Sequence, residues 1–180
     1  MPPLLFHFSH DPAIELFVPR AVRTPAKRPL GHEWLNGPLV WAIDDWHQPM
    51  YLFPRDCPRI LLWRTPSTVA ADAQVHFGAA SARMVAYVEE AWADAVSTAT
   101  LYRYELPPES FESLDDAGMW VSRAAVRPLR RTEIADLAHE LSAAGVELRT
   151  LPDLTPLKGV WNTSLHASGI RLRNAVNWNA

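Results

Sequence analysis

Glycine is scarce in this chain, seven residues in 180, and cysteine scarcer still, with Cys57 alone. One cysteine cannot close an internal disulfide, so the core holds without that staple and a reducing cytoplasm is the expected compartment. No CxxC and no HExxH is present, which removes the common zinc frameworks. GxGxxG and a phosphate-binding loop are missing too, as is the long βα alternation of a doubly wound sheet. No apolar run is long enough to span a membrane. The N-terminal MPPLLFHFSHD has neither a basic n-region nor a long apolar h-region, so it does not read as a signal peptide. Positive charge is not in excess: 17 Lys and Arg against 20 Asp and Glu give a net charge of −3. With no Lys/Gly-rich tract either, nucleic acid is not the expected partner.

What is present is ordinary in bulk and unusual in detail. Apolar residues make up 48% and charged residues 21%, as in globular proteins. A chain of this length buries about 70% of its unfolded surface, so one globular domain over residues 1–180 is the expectation. Sixteen prolines argue for short elements joined by stiff loops. Strands are expected at residues 4–8, 39–43, 59–63, 83–88, 101–106, 119–126 and 146–151, from β-formers bounded by turn residues. Asp44 is placed to cap a helix over residues 45–53, and a helix is expected over 89–97. Thr132 is placed to cap a helix over 132–144, ended by Gly145, and Pro156 to open one running to about residue 166. A last short strand is expected over 169–173. Residues 19–38 read as loop, and 65–82 are weakly patterned. The fold class expected is α+β, a central, mostly antiparallel, split sheet with a few peripheral helices.

The chemistry-bearing residues gather in a few places. His7 lies between Phe6 and Phe8, so its ring points away from theirs. His10 and Asp11 follow, but HFSHD is not a metal spacing, and no metal is expected. Trp41 and Ile43 share one face of their strand, Val40 and Ala42 the other. The Trp41 indole reads either as core or as a flat wall for a heteroaromatic ring. In Arg55-Asp56-Cys57-Pro58-Arg59, two guanidiniums could clamp a phosphate, or Asp56 could pair one of them in a structural loop. The same cations would favour the Cys57 thiolate, unless Cys57 is a small buried apolar group. Arg123, Arg127, Arg130, Arg131, Arg171 and Arg173 could make a basic rim or a solvated face. Asp115-Asp116 reads as a turn or a catalytic carboxylate. Eight tryptophans suit a pocket for a small-molecule ligand, and equally a homodimer patch.

The order of these motifs carries a likeness. Leu5-Phe6-His7-Phe8-Ser9, Val40-Trp41-Ala42-Ile43-Asp44, Leu101-Tyr102-Arg103-Tyr104-Glu105-Leu106, Trp120-Val121-Ser122-Arg123 and the closing Ser168–Ala175 stretch resemble a bacterial family of unknown function along the whole chain. More remotely, the same order is similar to the rifampin ADP-ribosyltransferases and other small ADP-ribosyltransferase-like folds. That likeness implies NAD as co-substrate, with a small molecule or a protein as acceptor. It implies that His7 bonds a ribose of NAD, that Trp41 stands where a Tyr stacks on nicotinamide, and that Asp115 or Asp116 is the carboxylate. Ser9, Asp44, Tyr51, Arg55, Arg59 and Arg123 complete the implied cofactor-binding set. Two positions depart from the pattern: Trp41 lacks the Tyr hydroxyl, and Met119 stands where many such enzymes carry Glu. The departures leave a second expectation, a non-catalytic ligand-binding or protein-interaction module that keeps the fold without its carboxylate.

Overall fold

The computed structural model describes residues 2–179. In chain order the strands are β1 (Leu5–Ser9), β2 (Val40–Asp44), β3 (Arg59–Trp63), β4 (Met84–Glu89), β5 (Leu101–Leu106), β6 (Phe111–Ser113), β7 (Met119–Ser122), β8 (Arg130–Ile134), β9 (Val146–Leu151) and β10 (His166–Ile170). The α-helices are α1 (Ala70–Phe77), α2 (Ala93–Thr98) and α3 (Leu137–Ala143), and short 3-10 turns fill several connections. The class is α+β. Two compact units form: unit 1 takes residues 1–48 and 101–133, and unit 2 takes 49–100 and 134–180.

Unit 1 is built on a six-stranded sheet of order β6-β7-β2-β1-β5-β8. Its β1/β2, β1/β5, β2/β7 and β6/β7 pairs are antiparallel. Residues directly opposite each other in such pairs share a face. One face carries Leu5, Val40, Ala42, Tyr104 and Leu106, which pack with Phe17 and Val126. A backbone bridge between Phe17 and Val126 straps that face. The other face carries Val121 against Leu35 and Leu39, with Trp41 packed alongside. The β1/β5 ladder runs through five pairs, but the β1/β2 ladder holds only Leu5↔Asp44 and Phe6↔Ile43. Beyond Phe6 the two central strands part.

In unit 2 the sheet order is β10-β3-β4-β9, with β4/β9 parallel and the other two pairs antiparallel. Every residue of β3 and β4 is buried, the mark of central strands covered on both faces. Ile60, Leu62, Val85 and Tyr87 form one core with Phe77 of α1 and Leu154, Leu157, Val160 and Leu165.

Several expected elements are corrected. Asp44 does accept the His47 N–H at 2.8 Å, but a turn follows rather than a helix, and only Gln48–Tyr51 is helical, as 3-10. Pro49 blocks the longer helix. Residues 130–134 form β8, and α3 begins after Asp136, not Thr132. Residues 155–166 give two 3-10 turns and then β10. The weakly patterned 65–82 stretch holds α1, whose first three residues are Ala-Ala-Asp.

Asp136 caps α3 in the left-handed region, at φ 51°, with its carboxylate accepting the His139 N–H at 3.1 Å. Asp136→Ala removes the acceptor and strains the backbone, so a loss of about 1 kcal/mol is expected in urea melts, with Asp136→Asn close to the parent.

Candidate functional site

His7 sits where β1 and β2 part. Its Nδ1 donates to the Trp41 carbonyl oxygen at 2.9 Å, so the ring nitrogen replaces the ladder bond that the divergence removes. A proton on Nδ1 puts the lone pair of the neutral ring on Nε2. The ring packs on Phe17, centroids 4.7 Å apart, and faces Tyr104 across the β1/β5 ladder. By strand alternation Leu5, His7 and Ser9 share one face, and register adds Asp44 (opposite Leu5) and, with Ala42, Trp120. Ser9 is buried and its Oγ accepts the Asp11 N–H at 3.1 Å.

The Trp41 indole lies on the opposite face from His7, against the cluster of Leu35, Leu39 and Val121, on which Leu114 also packs. The Arg28 guanidinium lies 5.8 Å from its ring, and Nε1 is buried with no hydrogen-bond partner. The two residues therefore meet through Trp41's backbone and not through its ring. The half-buried aromatics on His7's own face include Trp120, Tyr102 and Phe111.

At the end of β2 a second cluster forms that the sequence reading missed. His47 Nδ1 lies 2.8 and 3.0 Å from the two Asp44 carboxylate oxygens, and Trp46 packs edge-on against the His47 ring. The pair is an imidazole oriented by a carboxylate, the arrangement that sets a general base. Burial pushes the Asp44 carboxyl up, but the hydrogen bonds from the His47 ring and backbone outweigh it and hold the group below its ordinary 3.8. Asp-x-x-His spanning a turn was the available signal; Asp44 was expected as a helix cap and, by the likeness, as a cofactor-binding residue, and His47 was not expected at all.

The β6–β7 hairpin closes over this pair. The Gly118 carbonyl oxygen accepts the Asp44 N–H at 2.9 Å. Its φ is +72°, and a Cβ there would fall 2.3 Å from His47 Nδ1 and 2.7 Å from Asp44 Oδ1. Asp115 and Ala117 are also left-handed, at φ 52° and 46°. A left-handed Ala costs about 1 kcal/mol, so close approach of this hairpin is maintained against strain. Asp115 and Asp116 are exposed, and Asp115 Oδ1 accepts from the Ser113 hydroxyl at 3.0 Å. The fold thus brings the Asp115–Gly118 hairpin to Asp44. Arg123 pairs with Glu112 at the surface and covers the Trp34 ring at 4.6 Å.

The remaining expected residues, Tyr51, Arg55 and Arg59, belong to unit 2. Arg55 is exposed, whereas Arg59 is 2% exposed and donates to the carbonyl oxygens of Met50 and Cys57. Cys57 is wholly buried and its thiol donates to the Pro58 carbonyl at 3.6 Å. Burial pushes the thiol up to about 12, Arg59 pulling it down and Glu89 pushing it up. Among the described residues no group of three or more His, Cys, Asp or Glu is placed to hold a metal ion, and no helix is long and apolar enough to cross a membrane.

Residues 6–175 match the model of a family of unknown function (DUF6886), and the chain belongs to that family. No curated protein and no solved structure matches it.

Two outcomes follow from these environments. Asp44 has a lowered folded pKa, so its stabilisation is present above the unfolded value of about 3.9 and is lost as pH falls through the folded one. Thermal melts from neutral pH to about pH 3 should therefore show a steeper loss in the parent than in Asp44→Asn; parallel curves would contradict the pairing. Iodoacetamide near neutral pH should leave native Cys57 unlabelled and label it after unfolding, as mass spectrometry would read.

Proposed function

We propose that unit 1 is an NAD-binding, ADP-ribosyltransferase-like domain. The observation that carries this reading is the placement of His7 at the split of the sheet, its Nδ1 held by the Trp41 carbonyl. The strands bearing the likeness, β7, β2, β1 and β5, are also consecutive neighbours in one sheet, and a split sheet is the fold that the likeness implies. In this reading His7 engages a ribose hydroxyl, with Ser9 on the same face. Trp120 supplies the flat surface for nicotinamide that Trp41's ring, on the other face, does not. Arg residues or backbone N–H groups hold the pyrophosphate.

The chemistry follows from the charges. As the nicotinamide–ribose bond breaks, nicotinamide leaves with the bonding pair and the ribose gains oxocarbenium character, which a carboxylate stabilises. Asp44 lies on His7's face and is held ionised. Asp115 and Asp116 lie on the hairpin whose Gly118 carbonyl accepts the Asp44 N–H. The acceptor nucleophile attacks the ribose carbon and gives up its proton, for which His47, oriented by Asp44, is the base. Met119, in place of a Glu, favours a second reading: a binding module that takes the same ligand and does not turn it over.

Calorimetry with millimolar NAD is expected to give saturable heat, weakened by roughly tenfold or more in His7→Ala. No heat, with the fold intact by circular dichroism, would overturn both readings. Nicotinamide release that Asp44→Asn abolishes while NAD still binds supports the transferase. Binding with no nicotinamide and no ADP-ribosylated product supports the module.

A further inference from the structure

Unit 2 holds a buried cation, Arg59, that forms no ion pair among the described residues. Arg59 opens β3 and is 2% exposed. Its Nε donates to the Met50 carbonyl at 2.8 Å and its Nη1 to the Cys57 carbonyl at 3.0 Å. The Tyr51 and Phe53 rings lie 5.7 and 5.1 Å from the guanidinium carbon. Among the described residues no carboxylate pairs with Arg59, and Nη2 has no acceptor. Removing a guanidinium from water without an anion is expensive. Glu89, the buried acid of this unit, accepts the Val176 N–H at 2.7 Å and makes no ion pair with Arg59.

A second cation is held beside the first. Arg59 pairs with Ile170 at the end of the β3/β10 ladder, and Arg171 is the next residue. Arg171 is left-handed, at φ 58°, a conformation that a long side chain adopts at a cost. Its Nε donates to the Arg55 carbonyl at 3.2 Å, and Asn174 Nδ2 donates to the Asp56 carbonyl at 2.8 Å. The 171–174 turn is thereby tied to the 55–56 loop. Burial pushes the Arg59 guanidinium down to about 10, with Tyr51 and Cys57 opposing and Arg171 adding to it. It remains a cation at neutral pH.

We propose that Arg59 and Arg171 form an anion site at this end of unit 2, which takes the phosphoryl group of a small molecule. Two cations match a dianion, whereas a single carboxylate would leave one of them uncompensated. Arg59 offers Nη2 from a position fixed by its two carbonyl bonds, and Arg171 offers its terminal amino groups from the half-buried rim. The site goes beyond the NAD reading and stands on unit 2 alone. A phosphomonoester and a diphosphate present the same chemistry.

The test is calorimetry of the full chain with inorganic phosphate and, separately, inorganic pyrophosphate. Saturable binding is expected for at least one, weakened about tenfold in Arg171→Ala, abolished in Arg171→Glu and largely kept in Arg171→Lys. Tighter binding of pyrophosphate identifies a diphosphate ligand, and tighter or equal binding of phosphate a monoester. Arg171 lies at the rim, so these variants are expected to fold, which circular dichroism checks. No saturable binding of either anion by the parent, or Arg171→Glu binding as the parent does, overturns the proposal. Retained pyrophosphate binding with no response to NAD would sink the NAD reading and leave this site standing.

Discussion

The hydrogen bond from His7 to the Trp41 carbonyl is the contact on which the site in unit 1 depends. Two central strands of a sheet cannot part without orphaning backbone groups, and an unsatisfied buried carbonyl costs about 1–3 kcal/mol. Here a side chain from the first strand takes over the acceptor that the ladder abandons. The opening is therefore tolerated at its edge, and the same bond selects the tautomer of His7. Structure and chemistry are linked at one atom: the proton on Nδ1 that closes the backbone account leaves the lone pair on Nε2.

Around that point the polar groups are arranged with some strain. The Asp44–His47 pair is covered by a hairpin with three left-handed residues among Asp115–Gly118. Only glycine can sit at position 118, because both the dihedral and the closeness to His47 forbid a Cβ. A hairpin needed only to reverse the chain would not require that approach. The strain, the orphaned Trp41 Nε1 and the carboxylate-oriented imidazole all fall within one unit, which is where a binding or catalytic role would concentrate them.

The legible parts of the sequence were those decided by local pattern. β1, β2, β3 and β5 are short runs of β-formers, and alternation correctly put Trp41 and Val40 on opposite faces. What alternation could not convey was that His7 and Trp41 sit on adjacent strands with their rings on opposite sides, because register between strands is a tertiary property. Residues 130–134 carry two Arg, a Thr and a Glu, and become an edge strand only because β5 offers a partner; the helix thus starts after Asp136. Residues 155–166 carry the helix-opening Pro156, yet β10 takes the last of them to pair with β3. His47 was overlooked because a turn, with no periodicity, brings it back onto Asp44. Arg59 was read as half of a loop clamp. Its burial, and the arrival of Arg171 beside it, are consequences of β10 pairing with β3.

The proposed NAD site requires that His7, held through Nδ1 by the Trp41 carbonyl, turn the rest of its ring to the ligand. The direct measurement is a long-range proton–nitrogen correlation spectrum of the imidazoles, recorded with and without NAD. The neutral His7 ring is expected to carry its proton on Nδ1, and NAD to shift its Nε2 while Nδ1 stays hydrogen-bonded. A neutral ring protonated on Nε2, or His7 signals that NAD leaves unmoved, would contradict it.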